Sequence, residues 1–396
     1  MTKGELPRTR PLAGVRVLDL GQVYQGPYAG YLLAQAGADV VKVEPPGGEP
    51  LRRRETDGGP PSYPLAFLNT NKRSLACDLK DEQGRELLLR LAGVADVLIE
   101  NFAPGVMDRL GVGWKALREL NPRLIYASGT AYGLSGPDSE RLGMDLTMQA
   151  WSGAMSITGE VGGGPLKSGP AFIDFLGGTH LYGGVVSALY ERERTGAGRL
   201  VEVAMQEAAY PALLTQLALM HHEGKLPGRT GNRHGRVSPC GVYPCRDGHV
   251  AIICITERHW RNLLRAMGRE DLVRDPRFRS NEARVSRRDE TEALVEKWTT
   301  GLSRAEINEA VRSRRVPCAP VRDLAEVNAD PHLRERGYFE TVDHTALGEV
   351  GLPTSAIRFD ARPSGPLEPI PALGESTDEV IREWLGGDPP REGSKG

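Results

Sequence analysis

The sequence has no apolar run approaching the ~20 residues needed to cross a bilayer, so a transmembrane segment is not expected. Cysteine is scarce and odd in number: Cys77, Cys240, Cys245, Cys254 and Cys318 lack the Cys-x-x-Cys or finger spacing of a zinc site and cannot all pair as disulfides. That pattern points to a reduced, cytoplasmic compartment and to no structural metal. Charge of one sign is not in excess, since 50 Lys and Arg face 52 Asp and Glu for a net charge of −2. The cations are spread along the chain, which leaves no basic stripe for nucleic acid and makes a small molecule the expected partner. Residues 1 to 11 carry Lys3, Arg8 and Arg10 with Pro7 and Pro11 but no apolar core of leader type, and are expected as a flexible tail.

At 396 residues, with 39% hydrophobic and 26% charged, the chain is long enough for two domains. The first 135 residues alternate between two periodicities. Val15 to Leu20 reads as a strand, Pro27 to Gly37 as a helix, and Asp39 to Glu44 as a second strand closed by the breaker Pro45-Pro46-Gly47-Gly48. The helix-then-strand pattern returns at 82–93 and 96–100, and again at 114–120 and 123–127. This is the signature of an α/β domain with a parallel, Rossmann-like sheet, whose ligands sit beyond the carboxyl ends of strands. The loops after Leu20, Glu44, Glu100 and Ala127 are therefore the informative ones.

Further on the character changes. Residues 12–200 are assigned to the large domain, 201–222 to an apolar linker helix, 223–330 to a smaller α+β domain, and 331–386 to a linker and a C-terminal part returning to the large domain. A capping-box pattern, Ser376 with Glu379, precedes Val380, Ile381 and Trp384, so a helix is expected there. The last residues, 387–396, read as a disordered tail.

The loop after the first strand, Gly21-Gln22-Val23-Tyr24-Gln25-Gly26, does not have the Gly-x-Gly-x-x-Gly spacing that lets a backbone approach a dinucleotide pyrophosphate, which argues against nicotinamide or flavin. The segments Gly14 to Leu20 with Gly26-Pro27, Gly37 to Glu44, Asn71-Lys72-Arg73-Ser74, Glu100-Asn101-Phe102-Ala103-Pro104-Gly105, Gly143-Met144-Asp145, Phe172 to Gly178 and Pro371 to Thr377 resemble, in that order, the class III CoA-transferases. The resemblance spans about residues 12–386.

It implies transfer of CoA between an acyl-CoA, with succinyl-CoA a candidate donor, and a carboxylic acid, with no metal or redox cofactor, in a homodimer of interlocked rings. Asp174 matches the family's nucleophile, and Asp145 a second acidic position that either orients the site or is purely structural. On residue type alone Asp174 is equally a structural cap or a buried acceptor. Gly177 and Gly178 supply either an oxyanion hole and close approach or small-residue helix packing. Lys72, Arg73, Asn101, Phe102 and Arg109 resemble CoA contacts, although any single cation is as readily a solvated surface charge. Val23, Tyr24 and Gln25 are expected at the mouth of the active site.

Two departures refine the reading. The related α-methylacyl-CoA racemases, the main alternative, carry a His before the acid of the Gly-His-Asp segment; here that residue is Met144, which cannot carry a proton. His180 or His234 would have to replace it. Where formyl-CoA transferases have a run of glycines, this chain has Arg233, His234 and Arg236, whose charge suits a dicarboxylic substrate. A nucleotide-dependent oxidoreductase and a non-catalytic dimeric scaffold remain the readings from other classes.

Overall fold

The computed structural model describes residues 10–56 and 62–386. Apart from Arg10 and Pro11, the two expected tails lie outside them. The chain divides into two units, one of residues 1–154, 167–224 and 331–396, the other of 155–166 and 225–330.

The first unit is built on six parallel strands, β1 Arg16–Asp19, β2 Asp39–Glu44, β3 Lys72–Ala76, β4 Val97–Glu100, β5 Ile125–Thr130 and β6 Leu200–Ala204, in the order β3-β2-β1-β4-β5-β6. That is the doubly wound α/β order, and it reverses direction between β1 and β4, where a crevice opens at the carboxyl ends of the strands. Register aligns Val17 with Val40 and with Val97. Because side chains alternate faces along a strand, Val17, Val40, Val97 and Ile99 pack on one side of the sheet, with Leu33 and Leu181. Leu18, Val41, Leu75 and Leu98 pack on the other, with Leu88 and Trp384. The first side is covered by helices α1 Gln25–Gln35 and α4 Phe172–Thr195, the second by α2 Glu82–Ala92 and α5 Thr377–Leu385. A short helix, α3 Asp145–Trp151, lies against the start of α4.

Three expectations are corrected. Residues 200–204, expected partly as linker helix, pair with β5 as the sixth strand, and the helices that follow up to residue 224 stay with the first unit. The Ser376 hydroxyl makes no cap on α5; it accepts from the Ser74 N–H at 3.3 Å and so ties the helix to β3. The second unit also includes 155–166, which the sequence reading placed in the large domain.

The second unit has the three-stranded antiparallel sheet Cys240–Cys245, Gly248–Ile253 and Cys318–Pro320. Helix Glu257–Ala266 buries Trp260, Leu263 and Leu264, spaced i, i+3 and i+4, in its core.

Candidate active site

At the switch point between β1 and β4, the loops after the two strands are pinned to each other. The Asn101 side chain accepts from the Gln22 N–H at 2.7 Å and donates to the Gln22 carbonyl at 3.0 Å. Beneath this loop lies a wholly buried ion pair: Lys72 Nζ donates to Asp19 Oδ2 at 2.7 Å, to the Pro27 carbonyl at 2.8 Å and to Asn69 Oδ1 at 2.9 Å. Lys42 Nζ donates to the Gly21 carbonyl. Burial alone would raise the Asp19 carboxyl, but the two ammonium groups outweigh it and hold it below the usual carboxylate range. Burial pulls Lys72 down to about 8 against the opposing pull of Asp19.

Two expected CoA contacts are thereby corrected. Lys72 is turned into the interior with its donors engaged, under the loop instead of at a phosphate. Arg73 grips Asp39 through Nε at 3.0 Å and Nη2 at 2.5 Å, reaches Glu383 at 2.7 Å, and packs over Trp384, which fastens α5 to the sheet edge. Its charge is neutralised there. Arg109 is exposed on the short helix Val106–Arg109.

Asp174 lies in the first turn of α4, which has no capping side chain of its own at Ala171. Asp145 supplies one from α3: its Oδ1 accepts from the N–H groups of Ile173 at 2.9 Å and Asp174 at 3.3 Å, and its Oδ2 accepts from Gln149. This caps the helix and sets a carboxylate beside Asp174. Burial, and then the charge of Asp145, push the Asp174 carboxyl up to about 7.

Asp174 opens on a cavity of about 390 Å³ lined also by Val23, Tyr24, Gln25, Phe102 and Met144. Tyr24 stacks on Phe175, with ring centroids 6.0 Å apart. Val23 adopts a φ of +62°, a left-handed backbone that a β-branched residue takes only under strain. The oxyanion part of the Gly177 and Gly178 expectation is corrected, since both lie inside α4, where backbone N–H groups bond the carbonyls four residues earlier. A Cβ at Gly177 would stand 2.8 Å from Gln25 Nε2, and one at Gly178 2.6 Å from the Gln25 carbonyl oxygen. These glycines let α1 approach α4.

A second cavity of about 310 Å³ shares Gln22 and Phe102 with the first and has walls of Leu20, Val43, Leu79 and Leu110, with Arg53 and Lys80 also lining it. Leu79 and Lys80 are not among the residues expected from the sequence, which identifies no strand at Lys72–Ala76 and so no loop after it. The signal was there: a loop follows every strand of such a sheet.

Arg233, His234 and Arg236 belong to the second unit. Arg233 pairs with Asp289 at 2.9 Å, His234 Nδ1 accepts from the Arg236 N–H at 3.1 Å, and Arg288 holds the loop's carbonyls at His234, Gly235 and Val237. His180 is exposed, with Nδ1 at 2.8 Å from the Leu176 carbonyl. Among the described residues no cluster of metal-ligating side chains occurs, and no helix is long and apolar enough to cross a membrane.

A model of CoA-transferase family III matches residues 12–377. The succinate–glutarate CoA-transferase of Agrobacterium fabrum is 34% identical, over 95% of this chain and 96% of that protein. The formyl-CoA:oxalate CoA-transferase of Streptomyces avermitilis is 35% identical, over 96% of each. Among solved structures, a CAIB/BAIF family protein from Brucella suis superposes with a TM-score of 0.83 at 34% identity, covering 95% of this chain and all of that one.

Proposed function

The chain belongs to CoA-transferase family III and is a CoA-transferase, and from that premise we propose that it carries CoA between carboxylic acids through covalent intermediates on Asp174. The observation that carries this is a half-buried carboxylate at the wall of a cavity, held at a helix start by a second carboxylate.

A carboxylate oxygen of Asp174 attacks the thioester carbonyl carbon, the C–S bond breaks, and CoA leaves as a thiolate, whose ordinary thiol pKa of about 8.5 makes it a competent leaving group without a strong acid. The acyl-aspartyl anhydride is then attacked by the thiolate at the aspartyl carbon, releasing the first acid and leaving an aspartyl-CoA thioester. The second acid runs the sequence in reverse. Asp145 orients the Asp174 backbone. The first cavity takes the reacting end of the thioester, and the second, which shares Gln22 and Phe102 with it, takes the nucleotide end: Phe102 offers a ring face, Lys80 and Arg53 offer charge for phosphates, and Arg109 adds charge from the adjoining short helix.

Racemisation needs proton carriers on two faces of the α-carbon. Met144 lines the Asp174 cavity where one would stand, which supports transfer over the racemase alternative. For the acid we propose a dicarboxylate. Succinate, glutarate and oxalate in the relatives' names are all dicarboxylic. Incubation with a panel of acyl-CoA donors and carboxylate acceptors, followed by mass spectrometry of the thioesters, tests the reading: exchange onto dicarboxylates is expected, and racemised acyl-CoA without exchange would refute it.

A further inference from the structure

We propose that the side-chain amide of Gln25 is the donor that stabilises the oxyanion formed when Asp174 attacks the thioester, an assignment that rests on the transferase reading above. Gln25 is 3% exposed, and its Nε2 is buried without a hydrogen-bond partner, alone in this respect among the described residues lining the Asp174 cavity. Native proteins pair nearly all buried polar groups, and removing the partner of such a group carries a desolvation cost. An unpaired amide on the wall of a substrate cavity therefore marks where an acceptor of the substrate docks.

Its placement fits the reacting carbonyl. Gln25 Nε2 lies 2.8 Å from where a Cβ on Gly177 would stand, and 2.9 Å from that of Gly129 on β5, so two glycines clear the space it fills. Gly177 follows Asp174 by three residues on α4, and positions three apart share a helix face at about 5–6 Å. Gln25 and Asp174 both line the cavity, with the amide packed against the turn of α4 that follows the carboxylate. Backbone donors at the start of α4 are engaged: Ile173 and Asp174 donate to Asp145, and Phe175 to the Ala171 carbonyl. Gly177 and Gly178 lie inside the helix.

In the step itself, an Asp174 oxygen bonds to the thioester carbon and the carbonyl π pair moves onto oxygen, where Gln25 Nε2–H donates to it. The pair returns as the C–S bond breaks and the thiolate leaves. A donor aimed at charge that develops only in the transition state raises kcat more than it lowers KM.

The test is steady-state kinetics of Gln25→Met, which keeps the length but removes the donor, with CoA affinity and thermal midpoint measured alongside. Loss of about 100- to 1,000-fold in kcat and kcat/KM together is expected, the range for a single oxyanion donor, with CoA affinity unchanged. If Gln25→Met does not fold, Gln25→Glu, planar and of equal length, serves in its place and is expected to lose as much. Undiminished kcat, or a raised KM with kcat intact, would overturn the proposal. Absence of any acyl or CoA adduct on Asp174 in the parent enzyme would instead overturn the transferase mechanism, and this assignment with it.

Discussion

Asp174 ionises near 3.8 in an unfolded chain and near 7 in the folded one, because burial and then Asp145 disfavour its charge. The folded state therefore binds the proton more tightly, and stability falls as pH rises from about 4 to 7, then levels off. Asp174→Asn removes that cost: it is expected to leave stability nearly unchanged at pH 4 and to raise it by on the order of 3 kcal/mol above pH 7, read from denaturant midpoints at the two values. A stabilisation independent of pH would contradict the assignment. Lys72 makes the opposite case. Lys72→Met takes from the buried Asp19 its direct ion-pair partner and leaves only the more weakly acting Lys42, so a loss of about 3–5 kcal/mol in unfolding free energy is expected. Weakened CoA binding with unchanged stability would return Lys72 to the phosphates. Its sequence neighbourhood, Asn71-Lys72-Arg73-Ser74, looks like a surface pair of cations, and nothing local says that Asp19, 53 residues away in sequence, is waiting beneath.

The start of α4 joins two functions in one contact. Asp145 caps the helix and also raises the carboxyl of Asp174, and the two effects separate by substitution. Asp145→Asn retains an oxygen for the Ile173 and Asp174 N–H groups but removes the charge, so the acid limb of the kcat/KM profile is expected to move to lower pH with little loss of stability. Asp145→Ala also loses the cap, worth about 0.5–2 kcal/mol. An acid limb unmoved in the Asn variant would show that Asp145 does not act on Asp174 through its charge. Strands β1, β2 and β4 were legible because Val17-Leu18, Val40-Val41 and Leu98-Ile99 are apolar on both faces, as a covered parallel sheet demands. Residues 200–204 were not, because Leu-Val-Glu-Val-Ala runs without a break into apolar helix, and only pairing with β5 decides between them. Asp174 and Asp145 were legible through the family resemblance; the cap that joins them, 29 residues apart, is a product of folding.

At the scale of the whole molecule, the helix Leu214–Glu223 buries none of its residues although Leu214, Leu217, Leu219 and Met220 are apolar, and Tyr190 and Tyr210 are 67% and 55% exposed. Apolar surface of this kind marks an interface, and a homodimer is the expected occupant. Sedimentation is expected to give twice the chain mass, and a monomer would oppose it. Interlocking, which only the family resemblance implies, would be a property of two copies and leaves no mark in the composition of one. The central claim, that Asp174 carries the transferred group, is tested most directly by incubating the enzyme with succinyl-CoA, adding hydroxylamine, and mapping the peptide that contains residue 174 by mass spectrometry. A hydroxamate at Asp174, absent in Asp174→Asn, is the expected result; CoA exchange proceeding with residue 174 unmodified would contradict it.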